Sequence, residues 1–375
     1  MQRKIYLSFL MLFFMFTTIA QNLTIPPNGG NKKASVGERI GLTDVTIHYD
    51  RPHVNGREGK IWNALVPAGF TDLGFGTSTA APWRAGANEN TTITFSTDVM
   101  IEGKPLPAGT YGFFVAMGNG DATLIFSNNS TSWGSFFYDP KDDALRVTVK
   151  TVPLNESVEW LKYEFIDESI NANNETNFSA VVALMWEKLE IPFKIEVDYV
   201  KTQLAIFKNE LKSDKGFTPD TWVAAAQFAA ENNDLEDALQ WSDYSINGRF
   251  IGQKNFKTLS TRAMILEKQG KSAEADAQMK EALPLGTMQD LHQYGRQLIT
   301  EKKPKEALEV FKMNAQKNPG VFTTDMGLVR GYSANGDYKN ALKYAKLAQP
   351  LAPNKPNKDA VDKMIQMLNE GKDVN

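Results

Sequence analysis

Four alanines in the C-terminal half, Ala238, Ala275, Ala307 and Ala341, stand at separations of 37, 32 and 34 residues. No other feature restricts the possible folds of this chain so tightly, because further marks keep phase with them. Trp222, Leu259 and Leu291 each lie 16 residues before their alanine, Gly270 and Gly336 five before, and Pro319 and Pro353 twelve after. A period of this length marks one supersecondary unit used repeatedly. The small alanine lets two helices approach, glycine permits the turn between them, and the aromatic and leucine positions fill the space between neighbouring pairs. Val361, Ile365 and Leu368 then predict a closing helix over the last pair, as the end of a stacked array requires.

On these residues, 218–375 resemble the tetratricopeptide repeat family, an all-α helical solenoid. The unit from Phe322 to Pro353 fits best, with Leu328, Tyr332, Gly336, Asp337, Tyr338, Ala341, Ala345 and Ala348. The first unit departs from the pattern, with Asn233 at the glycine position and Ser245 at an alanine position. Ahead of the repeats, Val197, Val200, Leu204, Phe207 and Leu211 step by three and four, which predicts a connecting helix within 196–217. Phe217 to Asp220, with Pro219, breaks it.

Before Pro192 the periodicity is that of strands. Val45, Ile47 and Tyr49 alternate with Thr46 and His48; Thr91, Ile93 and Phe95 with Thr92 and Thr94; Leu145, Val147 and Val149 with Arg146 and Thr148; Leu161, Tyr163 and Phe165 with Lys162 and Glu164. Val99–Ile101, Thr110–Met117 and Ala122–Ser127 are further strand segments, Gly103–Gly109 reads as a turn, and Phe178–Trp186, apolar on both faces, reads as the centre of a sheet. Residues 53–82 show no period and read as loops around Ile61–Val66. Short strands between turn signals predict an all-β, sandwich-like domain over 34–195, with a flexible lead-in at 21–33.

This half is similar to a family of exported bacterial domains known as domain of unknown function 2911, common in Bacteroidetes. The residues that carry the likeness are Tyr49, Arg51, Pro52, Gly56, Arg57, Ile61-Trp62, Val66-Pro67, Trp83, Arg84, Gly86 to Glu89, Thr91-Thr92, Gly103, Leu106 to Gly109, Tyr111-Gly112 and Trp133-Gly134. Thr71–Ala81 departs from the family pattern as an insertion. The family carries no settled activity, so the resemblance implies fold and export, not chemistry.

The N-terminus gives its own reason to expect export. Arg3 and Lys4 precede an apolar run from Ile5 to Phe16, and small residues follow at Thr18 and Ala20. That is the three-part secretory signal, 1–20, ending too soon to span a bilayer, which needs ~20 apolar residues. A periplasmic or extracellular protein follows, with no membrane span after cleavage. The chain has no cysteine, which removes disulfides, thiolate ligands and a lipid-anchored N-terminus. A net charge of −3 gives no bulk attraction to nucleic acid.

The chemically dense stretch is Pro82–Ser96. A first candidate ligand site combines Arg51, Arg57, Trp83, Arg84, Asn88 and Glu89. Tryptophan offers a flat face to a sugar or other ring, arginine a fork to a carboxylate or sulfate. The structural alternative has Arg84 and Glu89 pairing with each other or with backbone, and Asn88 supplying a left-handed turn residue. A second group, His48, Asp50 and His53, contains residue types that bind zinc or move protons, but at no standard ligand spacing. The aromatic run Trp133, Phe136, Phe137 and Tyr138 reads as core or lid, with a binding edge as the alternative. No nucleophile elbow, phosphate-binding loop, HExxH or dinucleotide fingerprint occurs.

These readings converge on an exported, non-enzymatic binding or scaffold protein with no cofactor and no assigned catalytic residue. Its β domain would take a small or glycan-type ligand or a protein, and its repeats would dock a protein partner. The rival is an envelope hydrolase centred on Arg84, Glu89, His48 and Asp50.

Overall fold

The computed structural model describes residues 30–170 and 177–375; the expected signal segment 1–20 and most of the lead-in lie outside the described residues. The chain divides into two compact units, 1–197 and 198–375.

In the first unit, β1 (Lys32–Ile40), β2 (Thr43–Arg51), β3 (Thr91–Phe95), β6 (Gly109–Met117), β7 (Asp121–Ser127) and β8 (Asp143–Lys150) form one antiparallel sheet in the order β1-β2-β3-β6-β7-β8. A second sheet has the order β5-β4-β10-β9, from β4 (Val99–Ile101), β5 (Lys104–Leu106), β9 (Val152–Ile170) and β10 (Asn177–Asp198). Ile47, Ile93, Phe113 and Phe126 from the first sheet share one core with Leu161, Tyr163, Leu184, Trp186 and Phe193 from the second. Two sheets closing on one apolar layer make a sandwich.

Three details differ from the sequence reading. Strand β1 begins at Lys32, inside the segment expected to be a flexible lead-in. β5 occupies part of the expected Gly103–Gly109 turn. The long β10 is an inner strand, paired with β9 along Phe178–Glu190 and with β4 at Ile195 and Glu196, so its β4 pairing lies beyond Phe178–Trp186. Its register shifts around Glu187, whose φ is 50° and whose Oε1 accepts from the Gly59 N–H at 2.8 Å. An extra residue of this kind bends a strand and re-aims its side chains. The region 53–82 has no regular strand, yet Val54, Ile61 and Val66 are buried in the core.

In the second unit, α1 (Tyr199–Glu210) precedes four helix pairs: α2 (Pro219–Glu231) with α3 (Leu235–Asn247), α4 (Phe256–Lys268) with α5 (Ser272–Ala282), α6 (Met288–Thr300) with α7 (Pro304–Lys317), and α8 (Phe322–Ala334) with α9 (Tyr338–Ala348). α10 (Lys355–Asn369) follows, with Val361 and Leu368 buried. All four phased alanines are buried. The turn inside each pair repeats one geometry. The residue five before the alanine is left-handed in every case: Asn233 at 63°, Gly270 at 75°, Lys302 at 61° and Gly336 at 76°. The N–H after it closes back to a carbonyl five residues earlier, as Asp234 to Ala229, Lys271 to Leu266, Lys303 to Leu298 and Asp337 to Tyr332. This is the helix C-cap that glycine normally supplies. The first pair is built like the others: Asn233 adopts the turn, and buried Ser245 spends its hydroxyl on the Ser242 carbonyl at 2.7 Å. Among the described residues, no helix is long and apolar enough to cross a membrane.

Candidate functional site

The turn between Trp83 and Thr91 is held from four sides. Trp83 donates its indole N–H to the Gly86 carbonyl at 3.2 Å. Arg84 Nη1 donates to the Asn88 carbonyl at 2.7 Å. The Ala85 carbonyl accepts from the Thr91 hydroxyl at 3.2 Å and from the Tyr163 hydroxyl at 2.7 Å. Ala85 and Asn88 both have positive φ, 52° and 56°, a conformation that costs an L-residue ~1–2 kcal/mol. A Cβ on Gly86 would stand 2.6 Å from the Thr91 hydroxyl oxygen and 3.1 Å from the Asp50 carbonyl. The unusual composition of the stretch thus serves a tight, cross-braced turn laid against β2.

Most of the first candidate group is consumed in such bracing. Trp83 is only 9% exposed; it stacks on Trp186 at 6.1 Å and meets Trp62 edge-on at 5.6 Å. The expected aromatic wall is therefore part of the core, because three indoles fill the space between the sheets. Arg51 Nε donates to the Leu161 carbonyl at 2.7 Å, tying β2 to β9. Arg57 donates to the carbonyls of Val54 and His53, closing a local turn. Arg84 and Glu89 do not pair with each other.

Glu89 instead joins Asp50 and Lys33, its partner supplied by a strand that the sequence reading missed. Lys33 faces Asp50 across the β1–β2 ladder, with Nζ 2.8 Å from Glu89 Oε1 and 3.8 Å from Asp50 Oδ2. Asp50 is 4% exposed, and Asp50 Oδ1 and Glu89 Oε2 are both buried without a donor. Burial, and then the neighbouring Glu89, push the Asp50 carboxyl above its usual range. The Lys33 hydrogen bond, foremost, holds Glu89 down at about 2. The two neighbouring carboxyls are thus shifted in opposite directions.

The histidines do not join this cluster. His48 is exposed on the outer face of β2, opposite Ser35 and Thr92. His53 stacks on Trp160 at 4.6 Å, with Nδ1 3.8 Å from Glu159. Among the described residues, no group of three or more histidine and carboxylate side chains could hold a metal ion, so His48, Asp50 and His53 are not gathered as one site.

The aromatic run splits. Tyr138 packs with Phe114 and Ile125 in a small cluster of its own, while Trp133 and Phe137 are 56% and 46% exposed. Phe75, 63% exposed, packs edge-on against Phe136 at 5.3 Å.

The second unit carries a groove of about 830 Å³ lined by Gln227, Ser260, Met264, Glu267, Arg296 and Thr300, among others. These side chains come from α2, α4 and α6 and mix amide, hydroxyl, thioether and both charges. His292, also on α6 but not among the groove's lining residues, has Nδ1 buried without a partner, and its imidazole is pushed down by burial, then by Arg296 and Arg330. The His292 ring packs against Phe311, centres 5.8 Å apart, so its place is that of a packing residue.

Residues 31–195 match the model of the family described as Protein of unknown function (DUF2911). No curated protein matches the chain. Among solved structures, the TPR protein YrrB is 17% identical over 44% of this chain and 84% of its own, with a TM-score of 0.29. The C-terminal part of a TPR repeat-containing protein from Cytophaga hutchinsonii is 15% identical over 46% of this chain and 67% of its own, at 0.34. MamA is 14% identical over 44% and 92%, at 0.30. The stacked pairs and their C-caps define the repeat half independently of these likenesses.

Proposed function

We propose that the protein is an exported, non-enzymatic docking protein whose repeat unit binds a protein partner along the groove of α2, α4 and α6. The observation that carries this reading is the groove itself: about 830 Å³, open on one face of successive helices, with Met264 among polar and charged side chains. A chain of residues can be followed along such a surface, helix by helix, without any one deep pocket. Export rests on the basic start, the apolar run Ile5–Phe16 and the small residues at Thr18 and Ala20. A ring-stacking glycan in the β unit loses its main support, since the Trp83 face is filled by Trp62 and Trp186.

The hydrolase reading keeps one favourable observation, the opposed titration of Asp50 and Glu89. Against it, Asp50 is closed off from solvent, and His48 lies on the exposed face of β2, opposite Ser35 and Thr92. The test of docking is capture from envelope extract by the full chain and by a double variant, Met264→Glu with Arg296→Glu. The reading expects a captured protein that the double variant loses and that Lys346→Glu, on exposed α9 surface, retains. Equal capture by all three would overturn it.

A further inference from the structure

Arg84 is a half-buried cation with no anion beside it. Its one hydrogen bond goes to a neutral carbonyl, that of Asn88. Among the described residues it makes no ion pair, and burial alone pushes its guanidinium down from the usual value. Buried charges are ordinarily paired, because water no longer solvates them. The guanidinium is nevertheless given a fitted place. A Cβ on Gly134, whose φ is 64°, would stand 2.4 Å from Arg84 Cζ and 2.5 Å from Nη1, so only glycine leaves it room. Phe136 covers it with its ring centre 5.1 Å from Cζ. The Phe136 carbonyl in turn accepts from the N–H groups of Thr77 and Ser78, at 3.1 and 3.0 Å, which fixes Phe75 beside it. Phe75 lies 5.3 Å from Phe136 and 6.0 Å from Phe137, and both Phe75 and Phe137 are largely exposed.

We propose that this patch binds a small organic anion: the free edge of Arg84 takes a carboxylate or sulfonate head, and the rings of Phe75 and Phe137 take its apolar body. The two halves of the ligand follow from the two halves of the patch. A fork with unused N–H donors suits a planar anion, and its partly dry setting strengthens the bond. Exposed rings held in place at edge-on geometry suit a flat apolar partner. The site is separate from the groove of the repeat unit and stands or falls without it.

The test is calorimetric titration of the full chain with 2-naphthoate and with its neutral counterpart, 2-naphthylmethanol. Naphthoate is expected to bind, and Arg84→Gln to weaken it at least tenfold while leaving the alcohol unchanged, since a charge-assisted bond is lost and the rings are not. Arg84→Lys keeps the charge without the fork and is expected to fall between the two. Phe75→Ala, at an exposed position, is expected to weaken both probes and preserves the test should Arg84→Gln not fold. The proposal is overturned if naphthoate does not bind at millimolar concentration, if Arg84→Gln binds it as well as the parent, or if Arg84→Gln weakens both probes equally.

Discussion

Asp50 and Glu89 lie side by side with opposite responses to pH, and Lys33 is the reason. Its ammonium bonds Glu89 and stands farther from Asp50, so Glu89 is held down while burial raises Asp50. Asp50 is raised above 3.8 in the folded state, so its contribution to stability grows as pH falls through that raised value and is complete below 3.8. Glu89, held at about 2 against a usual 4.5, contributes fully above 4.5 and loses its contribution as pH falls toward about 2. Asp50→Asn removes the first dependence and offers an N–H to the orphaned Glu89 Oε2. Urea unfolding is expected to give the variant a gain of about 1 kcal/mol at pH 7, shrinking toward pH 3.8. A less stable variant at pH 7 would contradict the upward shift of the Asp50 carboxyl. The sequence made Trp83, Arg84, Asn88 and Glu89 visible as a motif, because their density in one turn is unusual. It could not reveal their roles, which depend on Lys33, Tyr163 and Trp186, residues brought to the turn from 50 or more positions away.

At the scale of elements, legibility followed how local the signal was. The helix pairs were readable because their alanines and turn residues repeat in phase, and each pair is held by short-range contacts. β1 was not readable: its sequence KKASVGERI carries charge at both ends and buries only Ile40 fully, as suits an edge strand that must not recruit a neighbour. β9 was caught only in its middle, Leu161–Phe165, and β10 only in its first half, Phe178–Trp186, since the remaining stretches are held as strand by pairing, with each other and with β4, rather than announced by an alternating pattern. The repeat turns allow one quantitative expectation. Lys302 holds the left-handed position that Gly270 and Gly336 hold in their pairs. Relief of its steric cost, less the entropy glycine brings to the unfolded chain, gives Lys302→Gly a gain of roughly 0.5–1 kcal/mol. Thermal unfolding of the full chain should register a higher midpoint; a lower one would mean that the Lys302 side chain contributes more than its backbone costs.

At the scale of the molecule, each of the two units has its own apolar core, and the chemistry available to them differs. The β unit spends most of its conspicuous polar residues on bracing, and only the part of the Arg84 guanidinium not bonded to Asn88 is left over. The repeat unit spends its in-phase residues on stacking, and the proposed reading gives the side chains of the α2, α4 and α6 groove to a protein partner. That is the central claim, and a photo-crosslink in envelope extract tests it most directly. With p-benzoylphenylalanine at position 260 in the full chain, the groove reading expects a discrete protein adduct; the same group at position 346, on α9, is expected to give none. An adduct at 346 with none at 260 would contradict it.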